Sequence, residues 1–198
     1  MKKIGKGYHS DVYLAYDNST NPVNKFAVKE FKTEFALDKI IRESIMMDML
    51  CSEENKNGHN NIIPLYKIIK DGSRYSLVME YIDDMYYQIL YPLLTPREVQ
   101  FYAYELLKAI AYMHDKNIIH KDIKPHNVLI DRSKKILKLI DWGSADIYRE
   151  GEEGVDEYND FYYYYYYGTF DDDDDDGNDD TDDDGNDDDT VWLSYLNT

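Results

Sequence analysis

The chain has 198 residues, 43% of them hydrophobic and 31% charged, with a formal net charge of −18. That acidity is local: all 22 Lys and Arg lie at or before Arg149, whereas 20 of the 40 acids follow it. Residues 1–149 are therefore near neutral, and no nucleic-acid partner is expected. The single cysteine, Cys51, excludes an intramolecular disulfide. No run approaches the ~20 apolar residues that cross a bilayer. Met1-Lys2-Lys3 leads into Ile4-Gly5-Lys6-Gly7 and not into an apolar stretch, so a cytoplasmic or nuclear protein without a membrane partner is expected.

Residues 3–16 read as strand, glycine turn and strand, with Gly5-Lys6-Gly7-Tyr8-His9-Ser10-Asp11-Val12 spelling G-x-G-x-x-S-x-V. Residues 24–31 alternate and carry Phe26-Ala27-Val28-Lys29. A helix over roughly 34–51 places Leu37, Ile41, Ile45 and Met49 on one stripe, expected to be core, with Glu43 off it. Strands over 61–70 and 74–82 meet at the turn Asp71-Gly72-Ser73.

Thr95-Pro96-Arg97-Glu98 opens a helix by its chemistry: Thr at the cap, Pro in the first turn, Glu three residues after the cap. Val99, Ala103, Leu106, Ile110 and Met113 are its expected buried stripe. The helix delivers the chain to Ile118-Ile119 and a polar run at 120–127. Two short apolar strands, 128–130 and 136–140, then lead to Asp141-Trp142-Gly143. His114 and His126 have no partners at metal-ligand spacing and read as structural or exposed.

The polar run His120-Lys121-Asp122-Ile123-Lys124-Pro125-His126-Asn127 resembles the catalytic loop of the eukaryotic protein kinases. The resemblance implies an α+β, bilobal fold with a β-rich N-lobe over 1–83 and a helical C-lobe over 84–149. It implies that Asp122 accepts or orients the attacking hydroxyl's proton, that Lys124 steadies the moving phosphoryl group, and that Asn127 and Asp141 bind magnesium. Gly5, Gly7 and Val12 would cover the nucleotide, while Lys29, paired with Glu43, would hold its phosphates. Glu80 and Ile82 would sit in the hinge beside the adenine, with Met79 at the back of the pocket.

Within the kinases, Asp141-Trp142-Gly143, Lys124-Pro125-His126-Asn127 and Ser10 in the glycine turn are similar to the catalytic (alpha) subunit of casein kinase II. So is Leu139-Ile140-Asp141-Trp142-Gly143-Ser144-Ala145-Asp146-Ile147-Tyr148, with Ser144 and Asp146 as departures. That likeness implies a Ser/Thr kinase using ATP, or GTP, with Mg2+. Its substrates would be proteins with Ser or Thr near acidic residues, and its partner a regulatory beta subunit. Lys121 replaces the arginine of H-R-D, keeping the charge but losing the planar fork. The family's lysine-rich cluster before the helix glutamate is reduced to Lys39.

All five prolines lie at or before Pro125, so no A-P-E motif follows the catalytic loop, and the C-lobe is expected to be incomplete, truncated after the start of the activation segment. A catalytically impaired kinase that binds nucleotide or the beta subunit is the rival expectation. Residues 150–198 hold six consecutive tyrosines at 162–167 and blocks of aspartate, and disorder is expected there. Thr169 and Thr181 stand in S/T-x-x-D contexts and are candidate autophosphorylation sites.

Overall fold

The computed structural model describes residues 1–19, 21–32, 37–50, 59–84 and 86–148, omitting the side chain of residue 38. All of them belong to one compact unit, Met1–Tyr148. The expectations for Cys51, for the tail at 150–198 and for Thr169 and Thr181 fall outside the described residues.

The N-terminal portion is an antiparallel sheet of five strands, β1 (Lys2–Lys6), β2 (Ser10–Asp17), β3 (Asn24–Phe31), β4 (Leu65–Asp71) and β5 (Arg74–Glu80), in the order β1-β2-β3-β5-β4. The β4–β5 hairpin turns through Gly72 at φ +60°, a left-handed conformation that glycine adopts without steric cost. Register decides which side chains share a face. Gly5 pairs with Val12, Val12 with Lys29, and Lys29 with Leu77, while Ala27 pairs with Met79. Directly opposed residues in an antiparallel pair project to the same side, and so do residues two apart. Val12, Ala27, Lys29 and Met79 thus share one face of the sheet.

Helix α1 (Leu37–Leu50) follows β3. Its buried side chains are Ile40, Glu43, Ser44, Ile45, Met46, Met47 and Leu50. This corrects the expected stripe: Leu37, Ile41 and Met49 are only half-buried, and Glu43 lies on the inward face. A strict four-residue spacing drifts around a helix of 3.6 residues per turn, and the true inward face follows the 40, 43/44, 47, 50 progression.

The strand expected over 61–70 also needs correction, because only Leu65–Asp71 is strand. Pro64 has no N–H to give a ladder, and residues 61–63 turn instead toward the C-terminal portion. There the Leu139 N–H donates to the Asn61 carbonyl at 2.8 Å and the Ile63 N–H to the Leu139 carbonyl at 3.1 Å. Likewise β5 stops at Glu80, two residues short of the expected end.

Helix α2 (Tyr87–Leu90) and a 3₁₀ turn lead into the long helix α3 (Pro96–Asp115). The capping box is complete: the Glu98 N–H donates to the Thr95 hydroxyl and the Thr95 N–H to the Glu98 carboxylate. Arg132 forks onto the same carboxylate and, with the Thr95 bonds, holds its pKa down at about 2. The expected buried stripe on this helix holds at one position of five. Met113 is buried with Tyr102 and Ala109, whereas Val99 and Ala103 face outward and Leu106 and Ile110 are half-buried. Tyr102 and Ala109 are the buried residues that the expected stripe missed.

Beyond α3 come two small antiparallel pairs. Strand β6 (Ile118–Ile119) pairs with β9 (Asp146–Ile147), and β7 (Val128–Asp131) with β8 (Ile136–Leu139). The loops between these four strands carry the rest of the site.

Candidate active site

Between the sheet and the small C-terminal strands lies a cleft of about 590 Å³, within the range of small-molecule sites. Gly5, Gly7, Val12, Lys29, Glu43, Glu80, Ile82, Asn127 and Asp141 all line it. Asp122 and Lys124 do not line it; Asn127 reaches Asp122 from the lining, and Lys124 reaches it from within the loop.

The sheet side of the site is built around Lys29. Its Nζ donates to Glu43 Oε1 at 2.6 Å and Oε2 at 2.7 Å, and to Asp141 Oδ1 at 3.0 Å. Glu43 is 3% exposed, and a buried carboxylate without a counter-charge is strongly disfavoured. Burial pushes its carboxyl up from the ordinary value, and Lys29 pulls it back. Burial alone would push the Lys29 ammonium down, but Glu43 and Asp141 outweigh it and the net direction is up. Lys29 stays cationic. At the sheet edge Gly7 leaves room for a close approach of backbone, since a Cβ there would meet the Ser10 carbonyl at 3.1 Å.

The loop side is built around Asp122. Lys124 Nζ donates to Asp122 Oδ2 at 2.6 Å, and Asn127 Nδ2 donates to the Asp122 carbonyl at 2.8 Å and to Oδ2 at 2.9 Å. The Lys124 ammonium, with help from Asn127, holds the Asp122 carboxyl below the ordinary aspartate range. At neutral pH Asp122 is an oriented carboxylate.

Beneath the loop sits His120, fully buried, with Trp142 edge-on at 4.7 Å between ring centres. The Asp122 N–H donates to His120 Nδ1 at 3.3 Å, so Nδ1 is an acceptor and Nε2 carries the proton that it donates to the Ile140 carbonyl at 3.0 Å. Burial lowers the pKa of this imidazole and keeps it neutral. The Ile140 N–H donates in turn to the Asn127 carbonyl at 2.9 Å. Asp141, the next residue, holds φ +67°, a left-handed conformation that its clamped neighbours help impose.

Some contributors gave no motif signal. Lys138, only 7% exposed, donates to Glu80 at 2.8 Å and to the Ile62 carbonyl at 3.3 Å, tying the end of β5 to β8. Asp84 accepts from the Ile130 N–H at 2.8 Å, tying the connection after β5 to β7. A lysine alternating with Leu137 and Leu139 in an apolar strand was the available hint for the first. Nothing local marked the second.

Comparison with known families agrees with this geometry: the protein kinase domain model matches residues 1–169. Two portions meet at the cleft, with the Lys29–Glu43 pair on one wall and Asn127 and Asp141 on the other. The chain belongs to the protein kinase family, whose members are phosphotransferases.

Proposed function

We propose that this chain is a Ser/Thr kinase of the casein kinase II catalytic-subunit type, transferring the γ-phosphoryl group of ATP to a protein Ser or Thr hydroxyl. The observation that carries the reading is the convergence of Lys29, Glu43, Asn127 and Asp141 on one cleft, with Asn127 bonded to Asp122.

In this reading Asp122 orients the attacking hydroxyl. Its lowered pKa makes it a weak base, so its contribution is alignment and late acceptance of the proton. Lys124, 2.6 Å from that carboxylate, lies beside the path of the phosphoryl group and offsets its charge; a lysine here supports Ser/Thr over Tyr acceptors. Lys29 binds the nucleotide phosphates and Glu43 keeps it from swinging away. Val12, Ala27 and Met79 supply apolar cover for the base, while Glu80 and Ile82 form the hinge edge.

Asn127 and Asp141 fit magnesium by their donor chemistry, because an amide oxygen and a carboxylate are hard ligands. Asn127 uses its Nδ2 on Asp122, which leaves its amide oxygen for a cation. Among the described residues no cluster of three or more His, Cys, Asp or Glu is grouped to hold a metal, consistent with an ion completed by phosphate oxygens. When bound, magnesium supplies charge neutralisation of the triphosphate.

The assignment to the casein kinase II type, with its preference for acidic substrates and its regulatory beta subunit, is supported by Asp141-Trp142-Gly143 and Lys124-Pro125-His126-Asn127. A cytoplasmic or nuclear setting belongs to the same proposal; among the described residues no helix is long and apolar enough to cross a membrane. The test is phosphate transfer to an acidic Ser peptide against a Tyr-substituted peptide, with Mg-ATP. Transfer to Ser alone, lowered about 10²- to 10⁴-fold by Asp122→Asn, is the expected result. Nucleotide binding without transfer to either peptide would leave the rival, non-catalytic reading.

A further inference from the structure

The turn between β1 and β2 forms part of the cleft wall, since Gly7, Tyr8, His9 and Ser10 all line it. It lies beyond the last rung of that hairpin, where Lys6 pairs with Asp11. The Gly7 N–H closes the turn on the Ser10 carbonyl at 2.7 Å. Tyr8 at the tip is 82% exposed, so burial does little to anchor it.

Lys32, one residue past the end of β3, supplies the hold. Its Nζ donates to the Gly7 carbonyl at 3.0 Å and to the Tyr8 carbonyl at 3.0 Å, and its backbone N–H donates to the His9 carbonyl at 3.0 Å. Three consecutive carbonyls of the turn thus end on one half-buried residue. Among the described residues no carboxylate pairs with Lys32, and Asp11, on the neighbouring strand, is bonded to Lys3 at 2.6 Å. The ammonium is given over to backbone.

A trans peptide is planar, with its C=O and N–H pointing opposite ways. Fixing the carbonyls of Gly7, Tyr8 and His9 therefore fixes the directions of the N–H groups of Tyr8, His9 and Ser10. Successive backbone N–H groups are the kind of donor that holds phosphate oxygens. Lys32 itself does not line the cleft, so it reaches a ligand through the turn and not by contact. We propose that Lys32 is a positioning residue for nucleotide binding: it sets the β1–β2 turn in its receiving form before the triphosphate arrives.

Two other roles predict different outcomes. A lysine serving stability alone would lower the melting temperature and leave nucleotide affinity as it was. A lysine acting as a distant charge on the triphosphate would weaken binding without loosening the empty turn. A clamp does both together, because only the chains with the turn in place are competent to bind. Once nucleotide is seated its phosphates hold the turn, so the rate of transfer is spared.

The proposal rests on the kinase reading, and its experiment uses the full chain. Lys32→Met raises the Kd for Mg-ATP, measured by calorimetric titration, by about fivefold to fiftyfold. KM for nucleotide rises alike while kcat stays within about twofold. Lys32→Arg, which keeps a cation with several donors, recovers most of the affinity. Arg74→Met, which removes a cation from an exposed pair with Asp71 in the β4–β5 hairpin, is the charge control and leaves Kd unchanged. In amide hydrogen exchange of the nucleotide-free chain, the 5–12 peptide of Lys32→Met exchanges faster than in wild type, and α3 does not.

Unchanged exchange in that peptide overturns the clamp, whatever happens to affinity, and so does faster exchange with an unchanged Kd. Lys32→Gln, whose arm is one atom shorter, stands in should the methionine variant fold poorly; wild-type values in both readouts overturn the proposal there too. Should the wild-type chain bind no nucleotide, the kinase reading fails by itself, and the exchange comparison still decides whether Lys32 holds the turn.

Discussion

The two walls of the cleft hold their functional groups by different means. On the sheet side, Lys29 lies within an eight-residue strand paired on both edges and Glu43 within a 14-residue helix. Regular backbone fixes where they start, and burial of their mutual charge keeps them together. On the loop side, Asp122, Asn127 and Asp141 sit in loops and 3₁₀ turns between strands of two to four residues. There position comes from side chains bonded to backbone: His120 to Ile140, Asn127 to Asp122. The first wall stores its accuracy in folding free energy; the second stores it in a few directional bonds.

That contrast can be broken by substitution. Lys29→Met leaves Glu43 buried without a counter-charge, and the expected loss is about 3–5 kcal/mol in urea unfolding. A Lys29→Met, Glu43→Leu double variant is expected to regain most of that stability and, on the proposed function, to bind nucleotide weakly, as a titration with Mg-ATP would show. Asn127→Ala on the other wall removes two hydrogen bonds to Asp122 and is expected to cost less, about 1–3 kcal/mol, while lowering kcat severely. If Asn127→Ala proved as destabilising as Lys29→Met, the two walls would be of one kind.

His120 sharpens the comparison through pH. Its folded pKa is lowered from 6.5, so the unfolded chain takes up the proton first as pH falls. Its contribution to stability is complete above pH 6.5 and declines as pH falls through the folded value. A plot of unfolding free energy between about pH 5 and about pH 8 should therefore slope downward toward acid in wild type and less steeply in His120→Gln. His59 and His9 are lowered in the same sense, which is why the variant's difference, and not the raw slope, is the measurement. The smallest effect belongs to the capping box. Thr95→Ala removes one helix cap and should cost about 1 kcal/mol in unfolding, with no change in kcat.

Legibility in the sequence divided along the same line. Lys29, Asp122, Asn127 and Asp141 stand out because the proposed chemistry demands particular residues at particular spacings, and spacing is one-dimensional. The α3 cap was equally readable, since Thr95, Pro96 and Glu98 interact within one turn. The buried face of α1 was not: Glu43 is inward only because Lys29 waits there, a fact that hydrophobic periodicity registers as polar and assigns to the outside. The end of the strand before Pro64, the tie from Lys138 to Glu80 and the hold of Lys32 on the Gly7 and Tyr8 carbonyls all depend on which elements meet. Such pairings separate residues by tens of positions and leave no local trace.

Ile140 carries a consequence for any compound aimed at this cleft. Its amide is bound by Asn127 and its carbonyl by His120, so the residue just before Asp141 is riveted to the catalytic loop at both ends. A compound that displaced Ile140 together with Asp141 would break both bonds, each worth about 1 kcal/mol. Molecules that leave Asp141 and Ile140 in place break neither bond.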